Sequence, residues 1–425
     1  DGSVETGASG VTVAIAHLGA VDADTGLPVT ASGQVVAADD LRVRGLTLET
    51  PKSHVELDAS YRGGDAPRIE TTIEIARLTL AELAPYLPAS VPASLILDGT
   101  LAATGPGTAL DTSWTLHSTT VGATNGHVVV NATAARPTVD GTISTAALNL
   151  AALSRQRDLP ARLTMDGRVT ATVATDDPWQ SRVAFDVRTP GLTTFGYTVG
   201  ALSATGRLDG RVLTARGRAA AYGAAATFDA TLHDVTAPAS SLRLDIAGNV
   251  QHLDLRRLPA SVHAPAMATQ LAGAYDVHVM PQVVQASFTA DESDVEQAVV
   301  AAGTTASVRI EGERLEASVD GAVHHVSDDL LHLPSEQRVD LGGPVRASVT
   351  IPNLAAPFSI DAITGDVVAS LGGSSVRGTT IDRADIDGSI AGGIATIRRL
   401  DVAGAGATVT ATGTVTVSNT AAGVS

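Results

Sequence analysis

Cysteine is absent from the 425 residues, which removes disulfides, zinc–thiolate sites and thiol chemistry together. Aromatic residues make up only 3%, too few for the ring-filled middle of a close-packed β-sandwich. Positive charge is scarce as well: 28 Lys and Arg stand against 45 Asp and Glu, a formal net charge of −17. A nucleic-acid partner, which needs a basic stripe, is therefore not expected, nor is broad docking on anionic lipid surfaces. The acidic residues are scattered, so no acidic tail is indicated. No apolar run reaches the about 18 residues of a membrane span. The chain opens at Asp1-Gly2-Ser3 with neither an initiator Met nor a signal peptide, and the expectation is a piece of a longer protein whose anchor lies outside it.

What the chain has is aliphatic residues in period-two alternation. Apolar residues make up 44%, mostly Ala, Val, Leu and Ile. In residues 408–417, Val409, Ala411, Gly413, Val415 and Val417 share one face, and the intervening threonines share the other. Leu163, Met165, Gly167, Val169, Ala171 and Val173 repeat the scheme, as do Leu95, Leu97, Gly99, Leu101 and Ala103. Further sets are Val308, Ile310 and Gly312, then Leu315, Ala317, Val319, Gly321 and Val323, then Val345, Ala347, Val349 and Ile351. Asp-Gly recurs at residues 98, 140, 166, 209, 320 and 387. Several of these pairs sit inside an unbroken alternation, where the glycine reads as a bulge or bend rather than a hairpin turn.

A degenerate repeat overlies the strands. LTLAEL (78–83), LNLAAL (148–153) and LDLRRL (253–258) share L-x-L-x-x-L, each followed by a proline, at 85, 160 and 259. About twenty residues after each first Leu comes a glycine-led strand, at Gly99, Gly167 and Gly273. Short helical turns are expected at 81–87 and 328–333. A further helix is expected where Ser293 and Glu296 form a capping box before VEQAVVAA, with Gly303 as its stop. So little helix cannot cover so much one-sided sheet. The sheet must pair with another, close into a barrel, wind as a parallel β-helix or curl into an open half-pipe.

Two clusters could carry chemistry. His324, His325, Asp328, Asp329 and His332 offer nitrogen and oxygen donors but match no metal motif, and read as a solvated turn. Asp291, Glu292, Asp294 and Glu296 lack the glycine and spacing of a calcium loop and read as an acidic helix start. No nucleophile elbow, phosphate loop or dinucleotide fingerprint is present. The chain is read as a non-enzyme without metal or cofactor.

The L-x-L-x-x-L unit with its proline and following strand, together with the closing segment Ile381–Val417, resembles the AsmA-like superfamily, and within it the TamB (translocation and assembly module) type. The resemblance covers nearly the whole chain. It implies an all-β fold: an elongated, curled antiparallel repeat sheet, a half-pipe with a few short helices, continuous over 1–425. Approximate repeat units are 1–66, 67–137, 138–241, 242–341 and 342–425. Similarity to bridge-like lipid-transfer proteins implies a periplasmic segment anchored to the inner membrane of a diderm bacterium. Its partners would be phospholipid and an outer-membrane β-barrel protein, and its role would be moving lipid outward and aiding outer-membrane protein assembly. The groove lining would be Leu95, Leu97, Leu101, Leu163, Met165, Val169, Val345, Val349, Val409 and Val415. The competing reading packs the same residues on each other as the dry core of a structural or adhesive β-solenoid, with parallel rungs of constant length.

Overall fold

The computed structural model describes the chain apart from residues 8–9, 24–25, 65–66, 87–91, 150–151, 153–160, 175–176, 195–196, 260–266, 328–338, 358 and 418–425. Alternation becomes strand over most of each stretch that shows it, with Leu95, Val173, Gly312 and Val417 falling just outside the strand ends. The strands are β1 (Gly2–Gly7), β2 (Gly10–Val21), β3 (Pro28–Ala37), β4 (Asp40–Glu49), β5 (His54–Arg62), β6 (Arg68–Thr79), β7 (Ile96–Gly105), β8 (Leu110–Ser118), β9 (Gly122–Asn131), β10 (Thr138–Asn149), β11 (Ala161–Thr172), β12 (Arg182–Thr194), β13 (Tyr197–Val199) and β14 (Leu202–Asp209). They continue as β15 (Val212–Ala221), β16 (Ala224–Leu232), β17 (Leu244–Leu253), β18 (Thr269–Met280), β19 (Val283–Ala290), β20 (Ser293–Val295), β21 (Ala298–Val300), β22 (Thr305–Glu311), β23 (Arg314–Ser327), β24 (Val339–Ile351), β25 (Thr364–Val376), β26 (Thr379–Ala391), β27 (Ile394–Gly404) and β28 (Ala407–Thr416). They form a 28-stranded antiparallel sheet, which bears out the all-β antiparallel expectation. Two compact units divide the chain, Asp1–Leu213 and Thr214–Ser425.

Pairing is between chain neighbours. In the first unit β1 to β12 pair in succession, and β12 then takes β13 and β14. In the second, β16 to β19 pair in succession, β19 takes β22, and β22 to β28 follow in order. Five of the six Asp-Gly pairs lie inside strands, at Gly99, Gly141, Gly167, Gly321 and Gly388; only Asp209-Gly210 turns a hairpin, with Gly210 at φ +63°. Gly99 shows why glycine is required. Its φ is +136°, and a Cβ there would lie 3.0 Å from Leu116 Cα and drive into the Thr115 carbonyl.

One kind of bulge recurs among the strands. The register slips between Ile15 and Leu18, Val43 and Leu46, Ile75 and Leu78, Thr145 and Leu148, Val250 and Leu253, Val323 and Val326, and Ile397 and Leu400. Each step covers three positions and, except where Thr145 begins it, runs from one apolar residue to another, so two residues oppose one and the apolar face resumes beyond the break. The second bulge residue is left-handed at Gly45 (φ 52°), Ala147 (φ 53°), His252 (φ 59°) and His325 (φ 57°). Such a backbone costs a non-glycine residue about 1–2 kcal/mol. The L-x-L-x-x-L repeat is this device continued. Leu78, Leu148 and Leu253 follow the bulge, and helical turns begin at once, over Leu80–Tyr86 and Leu255–Arg257. Asp254 caps the second turn by accepting from Arg256 N at 3.1 Å.

Broken ladders leave backbone groups without partners, and buried hydroxyls supply them. Thr145, 4% exposed, accepts from Met165 N at 3.2 Å and donates to the Leu163 carbonyl at 3.4 Å. Thr269 accepts from Leu255 N at 2.9 Å and donates to the Leu253 carbonyl at 2.8 Å. Ser293, Thr304 and Ser374 accept from Ala272 N, Ala322 N and Gly342 N in the same way.

Residues 293–300 overturn the capped helix. They form β20, β21 and a turn, with Glu296 at φ 53°. The Ser293 hydroxyl serves Ala272, and Glu296 Oε1 accepts from Ala268 N at 2.6 Å. The local capping pattern loses because two neighbouring strands leave edges that only extended backbone can satisfy. Val295 pairs with Thr269 on β18, and Val299 with His324 on β23. The expected turn at 81–87 is present as the helical turn Leu80–Tyr86; the one at 328–333 lies outside the described residues.

Candidate functional site

The register aligns apolar residues into rows across the strands. In the first unit Leu101 lies opposite Ile73 and Trp114, and Val169 opposite Gly141 and Phe185. Met165 lies opposite Thr145, Leu163 opposite Leu148 and Leu192, and Leu97 opposite Leu78. In the second unit Val345 lies between Gly321 and Ala369, and Val349 between Ala317 and Gly365. Val409 and Val415 face Val402 and Ala395. Nine of the ten expected lining residues thus stand on the apolar faces of strands. Leu95 precedes β7 and is buried, 7% exposed, with Leu80 and Val121.

Little covers these faces. Strands are 73% of the structure and helix 5%. Among the described residues 14 apolar side chains are buried, eight of them alanine, and none is fully enclosed. The larger ones gather in two clusters. Leu80, Leu95 and Val121 pack with Leu78, Leu83, Leu97, Leu148 and Ala152 at the bulged edge of the first unit. Ala369, Leu371 and Ala384 pack with Leu341, Val345 and Val402 in the second. Elsewhere the lining residues are half-buried, shielded by neighbours in their own face; Val409 and Val415 are 58% and 56% exposed. The molecule exposes 24924 Å², against about 18,000 Å² for two separate globular units totalling its 43.0 kDa.

Four aromatic residues of this face lie opposite glycines: Trp114 opposite Gly126, Phe185 opposite Gly206, and Phe228 and Tyr275 both opposite Gly248. The Trp114 ring lies over Gly126, where a Cβ would stand 2.8 Å from Cε2 and overlap the six-membered ring. Its Nε1 donates to Thr124 Oγ1 at 3.4 Å, on the same neighbouring strand. Tyr275 reaches across Gly248 to donate to the Thr227 carbonyl at 2.9 Å, two strands away. Desolvation there holds the Tyr275 phenol above its ordinary range.

The opposite face is polar and carries ion pairs. Arg168 binds Asp140 through two nitrogens at 3.0 and 2.8 Å. Asp245 takes His233 Nε2 at 2.6 Å and His278 Nδ1 at 2.7 Å, while His278 Nε2 lies 2.8 Å from Asp276. These hydrogen bonds pull Asp140 and Asp245 below the usual carboxylate range and lift His278. The hollows found lie here, one of about 730 Å³ edged by Thr100, Thr115, His127, Thr142, Asp166 and Arg188. His325 lies 3.4 Å from Asp340; Asp328, Asp329 and His332 are outside the described residues. Among the described residues no three His, Asp or Glu side chains are disposed to hold a metal, and no helix is long and apolar enough to cross a membrane.

Fold and face together define a one-sided antiparallel sheet whose aliphatic side is uncovered. No protein-family model matches the chain, and neither a curated protein nor a solved structure matches it.

Proposed function

We propose that the uncovered aliphatic face carries the acyl chains of phospholipids, and that the chain is a periplasmic segment of a bridge-like transporter of the TamB type between the two membranes of a diderm bacterium. The observation that supports this is an apolar face kept in register from strand to strand yet left uncovered. A ten-residue strand such as β7 presents an apolar stripe about 33 Å long. That exceeds the about 15 Å of hydrocarbon in one bilayer leaflet, so a chain can lie flat on it. Each methylene taken from water contributes about 0.8 kcal/mol. Rows of similar aliphatic residues repeat at every strand, about 4.8 Å apart, so successive positions are close in energy and lipid slides without a deep trap. Headgroups stay in water at the strand ends. No proton transfer or covalent step is required. The parallel-rung solenoid finds no support in a sheet whose pairings are antiparallel. The TamB type, the periplasmic setting between two membranes, and help in outer-membrane protein assembly with a β-barrel partner rest on the sequence resemblance alone.

The test is native mass spectrometry with lipid extraction on the chain purified from a diderm host. Several phospholipids per chain are expected, and they should be lost when Leu97, Leu101, Met165 and Val169 are together changed to Asp in a chain that still folds. A folded, lipid-free native chain under gentle handling would overturn the proposal.

A further inference from the structure

A face that lets ligand slide must have no tall obstacle, yet large rings stand on it. Tyr61 and Phe288 face side chains, Leu41 and Ile69 for the first, Tyr275 and Ala306 for the second. Trp114, Phe185, Phe228 and Tyr275 each have a glycine directly across the ladder. Two of the rings are seen lying down. Trp114 rests over Gly126 with its indole nitrogen tied to Thr124, and Tyr275 lies across Gly248 with its hydroxyl tied to the Thr227 carbonyl. An aromatic ring is far larger than the Val and Ala side chains around it. Upright, it would rise above the face by most of its length; laid over a residue without a side chain, it adds only its thickness. The polar end of each ring is satisfied within the sheet, so neither has reason to turn outward.

We infer that Gly126 and Gly248 are clearance positions, which keep Trp114 and Tyr275 flat so that a moving acyl chain passes over the rings and touches them. This rests on the proposed lipid function and adds to it where ligand meets protein and which residues set the height of the path. Any side chain at 126 must displace the Trp114 ring, because even a methyl group would overlap it. The displaced ring has only the open side of the face to move into.

The experiment uses the two-tryptophan count of the chain. A Trp179→Phe chain leaves Trp114 as the single indole reporter. It is incubated with phosphatidylcholine vesicles whose acyl chains carry bromine at mid-chain, or with unbrominated vesicles, and bound lipid is counted by mass in the same samples. Bound lipid with Trp114 emission quenched by the brominated chains alone is the expected result. Bound lipid without quenching overturns the inference and leaves the lipid function standing; no bound lipid overturns both. Adding Gly126→Ala should slow lipid loading about tenfold, the factor that a barrier of about 1.4 kcal/mol produces. Adding Trp114→Leu to that variant should restore the loading rate, which also separates a raised ring from a misfolded sheet. Native loading by Gly126→Ala, or no recovery on removing the ring, would show that the glycine does not set the path.

Discussion

Placing Asp at Leu101 and at Leu80 separates an uncovered face from a dry core. Leu80 is 7% exposed and packs with Leu95 and Val121. Leu101 stands half-buried in the middle of β7, between Ile73 and Trp114. With nothing above it, a carboxylate at 101 reaches water. The cost is then the lost burial of one leucine, about 1.5–3 kcal/mol. At position 80 the same carboxylate is enclosed and unpaired. The leucine term is joined by a desolvation cost of several kcal/mol, and the sum rivals the about 5–15 kcal/mol that holds a domain together. The assay is urea unfolding followed by far-ultraviolet circular dichroism, with stabilities compared at equal m. Leu101→Asp should keep a cooperative transition at a lowered midpoint, and Leu80→Asp should lose it. If Leu101→Asp unfolds the chain as fully as Leu80→Asp, the face is covered in solution and the reasoning for an accessible surface fails.

Thr145→Val should cost about 1–3 kcal/mol, the penalty for leaving buried backbone groups unsatisfied. Thr100→Val, on the exposed face, should stay within about 0.5 kcal/mol of native; equal urea midpoints for the two would show that the hydroxyl does not staple the bulge. Gly99→Ala must abandon φ +136° and clear the Thr115 carbonyl, and should lower stability by at least about 2 kcal/mol in the same assay. His278 is held above its ordinary 6.5 by its bond to Asp245. Its contribution is therefore full below pH 6.5 and fades as pH rises through the raised value. Asp245, held below 3.8, contributes above that value and fades as pH falls through the lowered one. His278→Gln should remove the alkaline-side fall in melting temperature while matching native at high pH; superimposable pH profiles would show that the pair contributes nothing.

Strands were legible because alternation is a local property. Nothing beyond the sequence is needed to place Val345, Ala347 and Val349 on one face. The L-x-L-x-x-L unit was legible as a unit but not as a bulge followed by a helical turn. In hindsight the slip is written in the sequence: Ile75-Ala76-Arg77-Leu78 breaks the alternation by one residue, as do Val250 to Leu253 and Val323 to Val326. The helix expected after Ser293 failed for a non-local reason, since β18 and β23 leave ladder positions that only strand can fill. Thr145 and Thr269 looked like ordinary strand residues, and their role emerges only once the ladder around them is known to be broken. Likewise, the glycines opposite Trp114 and Tyr275 lie 12 and 27 positions away in sequence, a relation that register alone creates. Of the ten expected lining residues, Leu95 stands just ahead of its strand, which starts at Ile96, and alternation alone does not mark that boundary.

The neighbour-to-neighbour pairing within each unit also bears on how the protein assembles. A strand that waits for a distant partner must first close a long loop, and such closures slow folding. Here each hairpin finds its template in the segment just completed, so order can spread along the chain like a zip. Stability then accumulates from adjacent interfaces rather than from one shared centre. Adding or removing a matched pair of strands within a unit should widen or narrow its sheet without changing its plan. The width of the sheet within each unit is thereby set by the number of hairpins that unit carries, a quantity that can change one hairpin at a time.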